Sequence, residues 1–156
     1  MKKKVVIILS FLLLLSCGFE PIYSKKELEK KFNFSISRIQ FSGENTINQF
    51  LKNDLKNYVN IESKPIKYRL NINSKKVITI TSKNKKGNAE LFYMEIIINL
   101  DVYKGSVFEK SITLEDGFEY KNKSNKFQLE KYEKSIIENI SSRLSRNIIE
   151  QLYSIQ

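Results

Sequence analysis

The segment from Leu91 to Tyr103 constrains the fold of this chain more than any other. Successive side chains of a strand point to opposite faces. In that geometry Phe92, Met94, Ile96, Ile98, Leu100 and Val102 share one face, and Tyr93, Glu95, Ile97, Asn99, Asp101 and Tyr103 the other. The first face is wholly apolar and has to be covered. A second pattern supplies the cover: Leu129, Tyr132, Ile136, Ile137, Ile140, Leu144, Ile148 and Leu152 form one stripe of a helix expected from about 125 to 154.

The remaining elements follow from period and punctuation. Phe32, Phe34 and Ile36 alternate with polar residues, and the phase slips before Ile39 and Phe41, so a strand with a bulge near Arg38 is expected. Ser42-Gly43-Glu44 ends it. Ile47, Phe50, Leu51, Leu55 and Tyr58 then fall at helical spacing, which predicts a helix over about 46 to 58 with Asn45 as its N-cap. Pro65 restarts an extended chain, in which Tyr68, Leu70 and Ile72 alternate and Val77 to Thr81 continues. Residues 83–88 form a turn, and Lys104-Gly105-Ser106 a hairpin. The return strand is expected as Val107 to Leu114 and Phe118 to Tyr120, with Glu115-Asp116-Gly117 as a turn between them. The expected fold is α+β: a four-stranded mixed sheet in β-α-β-β-β-α order, with two helices on one face. The helix between the first two strands allows them to pair in parallel. The other sheet face is left polar or available to a partner.

The N-terminus has a different character. Lys2, Lys3 and Lys4 precede an apolar run from Val5 to Leu15, then Ser16 and the single cysteine, Cys17. A basic start, a short apolar segment and a small residue before the cut make a secretory signal peptide. The run is about half the ~20 residues that span a bilayer. Cysteine directly after Leu15-Ser16 resembles a bacterial lipoprotein signal, which implies cleavage before Cys17, an S-diacylglyceryl group on its thiol and an N-acyl group on its new amine. Burial of acyl chains contributes about 0.8 kcal/mol per CH₂, and two or more chains anchor a protein stably. Residues 1–16 then read as signal peptide, 17–31 as a lipidated polar tether and 32–156 as the folded domain. Gly18, rather than the Asp common in lipoproteins kept in the inner membrane, is compatible with passage to the outer membrane.

Composition narrows the chemistry. The formal charge is +10, and loss of Lys2, Lys3 and Lys4 leaves +7. Lysine, asparagine and isoleucine all have AT-rich codons, so genome composition can account for much of this balance. Nucleic acid is disfavoured as a partner, because an exported, lipid-anchored chain would not meet it. With no histidine, and with its one cysteine acylated, the chain offers no Ser-His or Cys-His pair and no His-ligated metal. No Gly-rich phosphate loop is present, and Glu115-Asp116-Gly117 lacks the further acids of a calcium loop. A binding or assembly component without catalytic activity or cofactor is expected.

The stretch Cys17-Gly18-Phe19-Glu20-Pro21-Ile22-Tyr23 resembles the Cys-Gly-Phe-x-Pro-Leu-Tyr start of the lipopolysaccharide-assembly lipoprotein family LptE in its alphaproteobacterial form. Lys86-Gly87-Asn88-Ala89-Glu90 and the exit Phe118-Glu119-Tyr120-Lys121-Asn122 resemble that family's turn and its last strand end. Ile22 stands for the commoner Leu, and the terminal helix is richer in Ile and Ser. The resemblance implies an outer-membrane lipoprotein, facing the periplasm and a barrel lumen, that plugs the β-barrel LptD and binds lipopolysaccharide. It also implies basic residues on the turn after the second strand and before the last helix. Here those regions hold Lys83, Lys85, Lys86, Lys121, Lys123 and Lys126, with Lys85, Lys86 and Lys126 as the candidate lipopolysaccharide contacts. Two alternatives remain open: another lipid-anchored adaptor, such as a secretin pilotin or an accessory subunit of a lipid transporter, and a lipid-anchored enzyme working through clustered carboxylates.

Overall fold

The structure, a computed structural model, describes residues 32–156. Cys17, the signal segment and the tether to residue 31 lie outside the described residues. The chain forms β1 (Phe34–Gly43), α1 (Asn45–Leu55), a single 3₁₀ turn (Lys56–Tyr58), β2 (Ile66–Lys83), β3 (Ala89–Lys104), β4 (Val107–Lys121) and α2 (Lys126–Ser154). The four strands make one sheet in the order β1-β2-β3-β4. β1 and β2 are parallel, and the other two pairs are antiparallel. This is the α+β arrangement expected from the sequence.

The core lies between the sheet and the helices. Tyr68, Leu70 and Ile72 from β2 are buried with Met94, Ile96, Ile98, Leu100 and Val102 from β3. Above them sit Ile47, Leu51 and Leu55 of α1 and Ile136, Ile140, Leu144, Ile148 and Leu152 of α2. Buried Ser141 and Ser145 also face inward on α2; small side chains there allow close approach of neighbouring elements. The Tyr68 hydroxyl crosses the core to donate to the Ile155 carbonyl at 3.1 Å, tying the end of α2 to a central strand.

Three local features refine the sequence reading. The register shift of β1 falls between Ile36 and Arg38, so Ser37 is the extra residue, and its hydroxyl donates to the Tyr68 carbonyl at 3.0 Å. The N-cap of α1 is Glu44 instead of Asn45, and no side chain of the cap residue bonds the helix. A polar knot anchors this corner instead. The Glu44 amide donates to the Ser74 carbonyl and hydroxyl, each at 3.1 Å. The Ser74 hydroxyl donates to Asn48 Oδ1 at 2.8 Å, and Asn48 Nδ2 donates to the Ser42 carbonyl at 3.1 Å. The third difference is that β4 runs without a break through Glu115-Asp116-Gly117. Asp116 is held by Arg143 of α2 at 2.5 Å, and Gly117 lies under the Tyr93 ring, where a Cβ would come within 2.2 Å of the hydroxyl.

Gly43 sits at the centre of the polar knot with φ +88°, and a Cβ there would lie 1.9 Å from the Ser74 carbonyl oxygen. Gly87 has a similar φ of +82° but open space around it. Backbone strain alone makes Gly87→Ala cost about 1–2 kcal/mol. Gly43→Ala adds a clash with backbone and should cost roughly 2–5 kcal/mol. Urea denaturation of the two variants should therefore rank them clearly; equal midpoints would show that the β1–α1 corner is looser than described.

Candidate functional site

The end of the sheet formed by the β2–β3 turn collects the lysines singled out by the sequence. Asn84 organises the turn: its Oδ1 accepts the amides of Lys86 at 2.9 Å and Asn88 at 3.1 Å, and its carbonyl accepts the Gly87 amide at 2.9 Å. These bonds leave Lys85 and Lys86 exposed at the tip. β4 ends beside the same tip, because Leu91 pairs with Lys121. The Asn122 amide donates to the Glu90 carbonyl, and Asn122 Nδ2 to the Ala89 carbonyl, each at 2.9 Å. Lys126 opens α2 just beyond, after an Asn125 cap whose Oδ1 accepts the Gln128 amide at 3.1 Å.

The lysines differ in their engagements. Lys123 is drawn back over the Tyr132 ring, 4.3 Å from its centroid. Among the described residues, Lys83, Lys85, Lys86, Lys121 and Lys126 have no carboxylate partner. The nearby Glu119 accepts the Thr81 hydroxyl at 3.0 Å. Lys126 also stands in the first turn of α2, which contains no acidic residue. A cation there opposes the helix macrodipole, so helix stability does not explain it.

Sequence reasoning did not anticipate the apolar surface beside these lysines. Ile78 and Ile80 are 41% and 50% exposed on the face that is buried farther along β2, and Phe127 next to Lys126 is 75% exposed. The signal was present in the phase of β2: Tyr68, Leu70, Ile72, Ser74, Lys76, Ile78 and Ile80 share one face. That face continues beyond the residues the helices bury. The end of the domain is therefore both cationic and apolar.

The opposite sheet face is mostly polar. Ser111 donates to Asp101 Oδ1 at 2.7 Å, Thr113 to Asn99 Oδ1 at 3.0 Å, and the Arg69 guanidinium lies 4.4 Å over the Tyr103 ring. Among the described residues no group of three or more His, Cys, Asp or Glu could hold a metal, and no helix is long and apolar enough to cross a membrane.

The fold is that of several bacterial lipoproteins of known structure. Rare lipoprotein B from Shewanella oneidensis superposes with a TM-score of 0.59 at 12% identity, over 76% of this chain and 96% of that one. A protein from Caulobacter crescentus classed as a lipoprotein gives 0.55 at 12% identity, over 84% and 96% of the two chains. A minor lipoprotein from Acinetobacter baumannii gives 0.54 at 11% identity, over 76% and 91%. No protein-family model and no curated protein matches the sequence. At these identities the likeness is one of fold.

Tyr120 couples the candidate site to the core. It is 3% exposed, and its hydroxyl donates to Glu133 Oε1 at 2.6 Å. Burial, then the Glu133 hydrogen bond and charge, push its phenol well above the usual value of 10. Because the folded pKa is raised, its contribution to stability is present below pH 10 and lost as pH climbs above it, where the unfolded chain can ionise. Melting temperature should thus fall above pH 10, and Tyr120→Phe should flatten part of that fall while lowering neutral-pH stability by about 1 kcal/mol. Identical alkaline profiles for the two proteins would contradict this role for Tyr120.

Proposed function

We propose that this chain is an outer-membrane lipoprotein, acylated at Cys17, that plugs the β-barrel LptD and binds lipopolysaccharide on its way to the cell surface. The observation that carries the reading is the placement of Lys85, Lys86 and Lys126, without carboxylate partners among the described residues, with exposed Ile78, Ile80 and Phe127 toward one end of the domain. Lipopolysaccharide presents phosphates next to acyl chains, and a cationic, apolar surface is complementary to both. Charge-assisted hydrogen bonds from lysine to phosphate strengthen where water is excluded, as inside a barrel. The lipoprotein-like sequence at Cys17 and the shared fold of the Shewanella and Acinetobacter lipoproteins support the membrane-anchored part of the reading. The function is one of binding and assembly, with no catalysis, cofactor or nucleic-acid partner. Its place is the outer membrane, facing the periplasm and the barrel lumen.

The lysines are exposed and lie on a turn or at a helix start, so their charge can be reversed without touching the core. Lys85→Glu with Lys86→Glu should leave the melting temperature within about 2 °C, since surface changes shift stability by under ~0.5 kcal/mol. The same variant should weaken binding of purified lipopolysaccharide about tenfold, the equivalent of ~1.4 kcal/mol. Lys126→Glu should weaken it in the same direction. Unchanged binding in both variants would remove this end from the site and favour a lipid-anchored adaptor that ignores lipopolysaccharide.

A further inference from the structure

A second feature lies away from the lysine-bearing turn, between β4 and the middle of α2. Phe118, Tyr132, Ile136 and Ile140 line a groove of about 340 Å³ together with the small polar residues Ser135, Asn139 and Ser142, and Arg143 and Arg146 border it. This volume lies at the lower end of the range of small-molecule sites, about 300–1,000 Å³. Phe118 is 45% exposed on the core-side face of β4, although a side chain of that kind is ordinarily covered there.

The charged residues of the lining are of one sign, Arg143 and Arg146. No carboxylate lines the groove. Asp116, the partner of Arg143, is already engaged: Oδ2 accepts Arg143 Nε at 2.5 Å, and Oδ1 accepts the Gly117 amide at 2.8 Å. That pairing holds Arg143 in place and leaves its two terminal nitrogens to bond elsewhere. Arg146, one turn further along α2, is exposed and has no carboxylate partner among the described residues. Residues three apart on a helix are neighbours on its surface, and both guanidinium-bearing side chains line this groove. A phosphate monoester presents three acceptor oxygens and up to two negative charges, against two oxygens and one charge on a carboxylate, so it is the better match for two guanidiniums.

We infer that this groove binds one acyl chain of a lipid and that Arg143 and Arg146 hold the phosphate adjoining that chain. The choice of ligand rests on the lipopolysaccharide reading, which it extends by adding an acyl subsite separate from Lys85 and Lys86. Ser135 and Arg146 offer clean variants, because both are exposed on α2. Ser135→Trp fills the groove, and Arg146→Glu reverses its free charge.

The test uses the full lipidated chain in phosphatidylcholine nanodiscs, with hexadecyl phosphate carrying a photoactivatable diazirine on its chain. Labelling should fall on peptides containing Phe118 and Ile136 to Ile140. It should drop at least fivefold in Ser135→Trp and in Arg146→Glu while melting temperature holds. Labelling that misses these peptides, or that ignores both variants, would overturn the site. Equal labelling by the matching hexadecanoate probe would overturn the phosphate assignment. Unlabelled lipopolysaccharide should compete for the groove. If the phosphate probe labels the groove as described but lipopolysaccharide does not compete, the site stands for a simpler phospholipid and the lipopolysaccharide reading fails.

Discussion

A mismatch of length governs this structure: the sheet is longer than the helices that cover it. β2 has 18 residues and spans about 60 Å at the usual strand rise. α2 has 29 residues and reaches about 43 Å, and α1 has only 11. Cover is complete over Leu70, Ile72, Ile98 and Leu100, where both helices meet the strands. It runs out toward the β2–β3 turn, and there the same face exposes Ile78 and Ile80. The apolar alternation of the strands persists past the point where folding of the isolated domain requires it.

The two candidate surfaces follow from that geometry. At the uncovered end, β4 and the start of α2 return beside the β2–β3 turn, so lysines distant in sequence share one region with exposed apolar side chains. Nothing in helix capping or ion pairing explains Lys126 there. Along the β4 edge, the Asp116–Arg143 pair bridges β4 and α2 beside a groove lined by both aromatic and polar side chains. Both surfaces join cations to apolar area, the combination that an anionic amphiphile requires. The opposite sheet face carries a polar ladder instead, Ser111 with Asp101 and Thr113 with Asn99.

Much of this was legible in the sequence because it rests on period. The alternation of Leu91 to Tyr103 and the stripe from Ile136 to Leu152 identify β3, α2 and their buried faces, and the parallel β1–β2 pair follows from the helix between them. Local polar chemistry was less legible. The α1 corner depends on Ser74 and Asn48, which come together only after β1 and β2 pair. Asp116-Gly117 has the composition of a turn, yet it stays in a strand because Arg143, 27 residues later, and the Tyr93 ring supply what a turn would have lost. Lys85, Lys86 and Lys126 follow from the family resemblance, as basic residues on the β2–β3 turn and before the last helix. Their apolar neighbours, and the groove beside Arg146, required knowing where the helices stop covering the sheet.

The role proposed for this domain is that of the lipid-anchored plug of an outer-membrane barrel. Its most direct test is affinity purification of the full chain, tagged after Gln156, from detergent-solubilised outer membranes, with stoichiometry read by quantitative mass spectrometry. Recovery of one large β-barrel protein in a near one-to-one ratio is expected, with the chain diacylglycerylated and N-acylated at Cys17. Recovery of a secretin or of an inner-membrane transporter, or of the chain alone, would contradict the plug reading and leave an adaptor built on the same fold.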